Sequence, residues 1–251
     1  MYMTGILLLI LCTCCSAETS LKPGLVLTFD DRNIENWEKQ IPLFEKYNAH
    51  VTFFIDHFDM LTPDQMRSLR KLKDAGHAIG CHGLRHLRAP DYCEKYSVEK
   101  YISDEIEPAI IRMNKEGFHA TCFAYPNSAF NELTDQALLK YFRHLRSGCG
   151  IEAELKKTER VFTRIADIKN KGRLDGISFH PKSPSDDLVT QVKQAVGRIK
   201  ENREILVLYA HDIRNAGEEG PKNYITADAL EEILSFAASN QIAFYSFDEL
   251  P

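Results

Sequence analysis

The chain has no dense run of lysine or arginine, and its 31 basic residues are outnumbered by 36 acidic ones, for a formal net charge of −5. A nucleic-acid backbone is met by clustered positive charge, so nucleic acid is not expected as a partner. Tryptophan is nearly missing: Trp37 is the single one, and it sits on the apolar side of a helical pattern, where it reads as core. No internal repeat, low-complexity tract or long linker interrupts the sequence, which argues against a solenoid or a string of tethered modules. The apolar stretch from Gly5 to Cys15 falls well short of the roughly 20 residues that a spanning helix needs.

That stretch is followed by Ser16, Ala17 and Glu18, so residues 1–17 read as a cleaved secretory leader, although no Lys or Arg precedes the apolar run. Cys14 or Cys15 offers a second possibility, a lipid-bearing cysteine after lipoprotein-type processing. Either way the protein is expected to be exported, to the periplasm, the extracellular space or a lipid anchor at the cell surface, with no spanning helix after processing. Residues 24–251 then suit one α/β domain, and the 44% hydrophobic and 27% charged fractions are ordinary for a globular fold. Cys81, Cys93, Cys122 and Cys149 would remain, an even number that permits disulfides without establishing them.

Short β-rich runs alternate with helical ones. Strands are expected at 24–30, 50–55, 77–81, 119–125, 161–165, 174–179, 205–210 and 241–247, with helices between them. Ile34, Trp37, Ile41, Phe44 and Tyr47 repeat at helical spacing, Thr62 and Pro63 cap a helix that Gly76 ends, and 97–116, 184–200 and 226–239 read similarly. Such alternation implies parallel strands with crossover helices, closed as a barrel or open as a doubly wound sheet. In both, a site forms at the C-terminal ends of the strands. A Gly- and Asn-rich segment from Arg214 to Tyr224 reads as an exposed loop.

Chemistry-bearing residues collect at those ends. Asp30 and Asp31 close the run Leu25 to Phe29, and a second apolar run ends in His82 and His86. Asp31, His82 and His86 can supply three ligands to a divalent metal and leave a position open for water. Asp30, pointing the other way on an extended backbone, is left free to act as a base. Alone, the aspartate doublet reads as a helix cap and the histidine pair as a polar turn. Cys81 lies next to His82, but strand neighbours face opposite sides, which argues against a thiolate ligand.

The ordered set Leu27 to Asp31, Gly76 to His86, Phe123 to Pro126 and Leu208 to His211 resembles the polysaccharide deacetylase family, also called the NodB-homology family or carbohydrate esterase family 4. The resemblance runs from about Leu25 to the C-terminus. It implies an irregular (β/α) barrel, probably seven-stranded, that removes N-acetyl groups from an amino-sugar polymer or oligomer with the help of one divalent metal. Zinc is the first expectation, and cobalt, manganese or nickel suit the same donors. By resemblance Asp30 is the catalytic base, Asp31, His82 and His86 are the metal ligands, His211 is the acid that protonates the leaving amine, and a backbone N–H around Tyr125, Pro126 and Asn127 holds the oxyanion. Relatives usually carry Ser or Thr directly after the first histidine, where this chain has Gly83. Many also have an arginine near Tyr125 that orients the base and a glycine soon after the proline. Here Asn127 and Ser128 follow Pro126, so the base must be oriented from elsewhere. An O-acetyl esterase or other amide hydrolase on the same scaffold, and a carbohydrate-binding surface protein with a decayed site, stand as alternatives.

Overall fold

In the computed structural model, which describes residues 21–151, 154–180, 187–215, 217–218 and 223–251, the strands are β1 (Gly24–Asp30), β2 (Thr52–Ile55), β3 (Ala78–Cys81), β4 (Cys122–Ala124), β5 (His144–Cys149), β6 (Phe162–Arg164), β7 (Arg173–Ser178), β8 (Glu204–Ala210), β9 (Asp212–Arg214), β10 (Tyr224–Thr226) and β11 (Ala243–Phe244). Parallel pairings run β1-β2-β3-β4-β5-β7-β8, and β8 returns to β1, so seven strands close a parallel barrel. The seven-stranded (β/α) barrel expected from the sequence is therefore the fold. It is irregular on one flank, where β7 pairs with the upper part of β8 through Ile177 and Ser178 while β6 runs antiparallel to its lower part.

Side-chain alternation along these strands sorts the core into two. Leu25, Leu27 and Phe29 point outward into a large cluster shared with the helices, where Trp37 stacks on Phe53 at 4.9 Å between centroids. Val26, Phe54, Cys122, Ala124, Leu174, Ile205 and Val207 face inward and fill the barrel, with Phe247 and Leu250 among them. The same parity carries Asp30, His82, Arg146 and His211 to the inside at the C-terminal rim.

The helices are α1 (Ile34–Glu38), α2 (Ile41–Lys46), α3 (Pro63–Asp74), α4 (Ala89–Lys95), α5 (Val98–Tyr101), α6 (Glu107–Lys115), α7 (Glu132–Leu138), α8 (Leu188–Asn202) and α9 (Ala227–Ser239), with a π turn (Ile102–Ile106) between α5 and α6. Thr62 caps α3 as its sequence suggests, accepting from Gln65 N–H while the Gln65 side chain accepts from Thr62 N–H. The periodic stretch 34–47 is split into α1 and α2, because Pro42 has no N–H to continue a helix and takes a first-turn position instead.

Other expectations need correction. β5 was not anticipated, because Arg146, Ser147 and Gly148 interrupt the apolar alternation that marks a strand. The run at 161–165 forms β6, outside the ring. Arg214 is not in an exposed loop: it is buried in β9, its guanidinium donating to Asp212 at 2.6 Å, and β9 pairs with β10. The leader expected at 1–17 lies outside the described residues, as do 184–186 at the start of the expected helix and parts of the 214–224 segment.

Candidate active site

Asp30 ends β1 inside the barrel and is 3% exposed. Burial pushes its carboxyl pKa up, but the charges of Arg146, His82 and His211 outweigh that and hold it below the ordinary value. The main partner is Arg146 on β5, whose Nη2 donates to Asp30 Oδ2 in a salt bridge with both side chains buried. Arg146 reaches Asp30 from outside the Tyr125 region, where the sequence has no arginine. It stands one strand further round the barrel, and its guanidinium also lies over the Tyr209 ring at 4.7 Å. Asp30 Oδ1 is left without a hydrogen-bond partner among the described residues.

At Asp31 the chain turns out of the strand with φ at +78°, a left-handed conformation costly for a residue with a Cβ. That turn brings its carboxylate to the imidazoles: Oδ1 is 3.6 Å from His82 Nε2 and 3.7 Å from His86 Nε2. His82 is buried, and its Nδ1–H donates to the Ala124 carbonyl at 2.8 Å, which assigns the proton to Nδ1 and leaves the Nε2 lone pair facing Asp31. Burial lowers its pKa to about 4, so the ring is neutral, as a ligand must be.

Do these residues fit a metal? Their ligand atoms all lie within 4.8 Å of one another. Tetrahedral bonds of about 2.1 Å place donor atoms about 3.4 Å apart, close to the two separations between Asp31 and the imidazoles. Burial and the negative charges of Asp30 and Asp56 push Asp31 up to about 6, the mark of a carboxylate cluster that a cation would relieve. The donor set, its spacing and its charge all fit a divalent ion. Cys81 takes no part: it faces the outer core, and burial pushes its thiol up to about 12.

His211 follows β8. Its backbone carbonyl accepts from Trp37 Nε1 at 2.9 Å and from Asn33 Nδ2 at 3.1 Å, so the one tryptophan is a core residue that also pins this histidine. Burial lowers the His211 pKa. His180 stands nearby, its ring 5.8 Å from that of His211.

Tyr125, Pro126 and Asn127 do not share the expected role equally. The N–H of Tyr125 is committed to the Arg146 carbonyl at 2.9 Å, and its side chain turns outward to donate to Asp135 at 2.8 Å. Pro126 has no N–H. Asn127 is exposed at the cleft, and both it and Ser128 take φ of +54°, so the two adopt a glycine-like conformation without a glycine. The cleft that joins these groups has a volume of about 380 Å³, and Arg88, Ser128, Arg146 and Tyr209 line it besides the residues expected from the sequence other than Pro126. In the sequence Arg146 is a lone arginine between Leu145 and Ser147, with nothing that marks it as inward-facing.

The C-terminal rim of the parallel seven-stranded barrel thus carries an Asp-His-His cluster and a second, buried aspartate. The profile of the polysaccharide deacetylase family matches residues 17–142, and the chain belongs to that family. Among solved structures, the catalytic domain of peptidoglycan N-acetylglucosamine deacetylase from Eubacterium rectale is similar at 18% identity and a TM-score of 0.54, with 92% of this chain and 91% of that one covered. The chitin deacetylase from Colletotrichum lindemuthianum aligns with a TM-score of 0.61 at 12% identity, over 91% and 87% of the two chains. A family 4 carbohydrate esterase from Streptomyces lividans gives 0.55 at 14% identity, over 88% and 91%. A comparison with curated proteins returns no match.

Proposed function

We propose that the chain is a metal-dependent hydrolase that removes N-acetyl groups from an amino-sugar polymer or oligomer outside the cytoplasm. The observation that carries this reading is the convergence of Asp31, His82 and His86 next to Asp30, a cleft-lining residue whose second carboxylate oxygen has no hydrogen-bond partner among the described residues. A divalent cation held by those three residues would acidify water and polarise an acetamide carbonyl. Asp30 accepts the proton of the attacking water, with Arg146 keeping it ionised and fixing its orientation. Asn127 offers its backbone N–H and side-chain amide toward the developing oxyanion, the role that Tyr125 is not free to play. His211 delivers a proton to the departing amine. Acetate and a glucosamine-type residue with a new positive charge result. Export follows from the leader expected at 1–17, and the mass of the mature N-terminus distinguishes cleavage after Ala17 from lipidation of Cys14 or Cys15.

Three features of the sequence favoured a decayed binding site: no arginine near Tyr125, Gly83 after the first histidine, and Asn127-Ser128 in place of glycine. Arg146 supplies the first from β5, and the positive φ of Asn127 and Ser128 supplies the backbone shape of the third. O-acetyl ester hydrolysis uses the same oxyanion and is separated by leaving group. His211→Gln is expected to slow acetate release from an N-acetylglucosamine oligomer by about 10²- to 10⁴-fold, the usual contribution of a general acid. Hydrolysis of an aryl acetate, whose leaving group needs no proton, should fall far less. Equal losses on both substrates would remove His211 as the acid. Wild-type protein active only on O-acetyl esters would replace the N-deacetylase reading by the esterase one.

A further inference from the structure

Gly83 follows the first histidine of the cluster with φ at +86°, and a Cβ built there would lie 2.5 Å from Oε1 of Glu105. The loop from His82 to Arg88 thus has no side chain at 83 with which to tie itself down. The tie comes from behind. Glu105 belongs to the π turn, a distortion that recurs at functional positions, and its side chain is wholly buried. Its Oε1 accepts from the N–H of Arg85 at 2.9 Å and from the N–H of Leu87 at 3.2 Å. Those are the two residues that flank His86, which is itself held at φ +57°. A residue with a Cβ stays in that conformation only when its surroundings impose it. The Arg85 side chain returns to the same turn, with Nε 3.4 Å from Glu105 Oε2 and Nη2 donating to the Asp104 carbonyl at 3.2 Å.

A carboxylate with no exposure is costly unless it is hydrogen-bonded, and the bonds it makes here go to one loop. We propose that Glu105 is the positioning residue of this loop: its buried carboxylate, rather than a side chain of the loop itself, holds His86 at the separation from His82 and Asp31 that a cation requires. The inference rests on reading those three residues as the metal site. Glu105 touches neither the metal position nor the cleft, so its effect is on the geometry of a ligand and not on the reacting atoms.

Glu105→Met keeps a side chain of similar length but removes both acceptor oxygens, whereas glutamine would keep one for the N–H groups of Arg85 and Leu87. Purified metal-free protein, titrated with Zn²⁺ against a chromophoric competing chelator, is expected to bind 10- to 100-fold more weakly as Glu105→Met than as wild type, the usual cost of losing an outer partner of a ligand. Thermal unfolding of the metal-free proteins establishes that the variant is folded, and the exposed Glu107→Gln, outside the loop contacts, should bind as wild type does. Should Glu105→Met not fold, Gly83→Ala supplies the comparison, since it leaves the carboxylate in place but crowds it and strains the backbone, and it too should weaken Zn²⁺ binding. Wild-type protein that binds Zn²⁺ together with a folded variant that binds it equally well would overturn the role of Glu105 and leave the metal site standing. Wild-type protein that binds no Zn²⁺ would overturn both.

Discussion

Asp30→Asn is expected to lower turnover by roughly 10²- to 10⁴-fold while metal stays bound, which is the loss of a general base and not of a ligand. The two neighbouring aspartates have the same chemistry, but the backbone separates them. Asp30 ends an extended strand and faces the barrel interior with Arg146, whereas Asp31 turns away at positive φ toward His82 and His86. Asparagine at 30 keeps an oxygen for Arg146 and removes only the ability to take a proton. Metal content and acetate release, measured on the same folded sample, check this. A metal-loaded Asp30→Asn protein with near-normal turnover would remove Asp30 from the role of base.

The second large effect is on stability. Arg146→Met leaves the Asp30 carboxylate buried without its partner, and breaking one side of a buried pair costs about 3–5 kcal/mol. Urea unfolding should show that loss, and Asp30→Asn combined with Arg146→Met should recover part of it, because the stranded charge is then gone. The sign with pH follows from the direction of the shift. Arg146 helps hold the folded pKa of Asp30 below the unfolded value of about 3.9, so the stabilisation is present above that value and is lost as pH falls through the lower, folded pKa. In Arg146→Met the base ionises less readily, so the acid limb of its pH–rate profile should move to higher pH. A single variant as stable as wild type, or a double variant less stable than both singles, would contradict the pairing.

Much of this site is legible in the sequence because barrel rims write their chemistry at strand ends. Asp30, Asp31, His82 and His211 each follow an apolar run; strand parity places Asp30 inside the barrel, and the positive φ of Asp31, which parity does not foretell, turns that residue toward His82 and His86. Arg146 was not legible. It lies inside a six-residue strand with only two apolar side chains, Leu145 and Cys149, and the inward arginine that matters breaks the pattern by which strands are found. Glu105 was hidden for a different reason: it lies in a helical segment 22 residues after Gly83, and only the folded chain brings it beneath that glycine. The partner of the Tyr125 N–H was not legible either, since it is set by the pairing with β5, where that N–H donates to the Arg146 carbonyl. Pro42 was visible throughout, and its break between α1 and α2 was masked by helical spacing that continues across it.

Acetate release from an N-acetylglucosamine oligomer by wild-type protein, before chelation, after removal of metal and after return of one equivalent of Zn²⁺, tests the site most directly. Activity should vanish with the metal and come back with one equivalent, since Asp31, His82 and His86 are the one group among the described residues placed to hold an ion. Full activity in protein shown by elemental analysis to be free of metal would contradict the role given to these three residues.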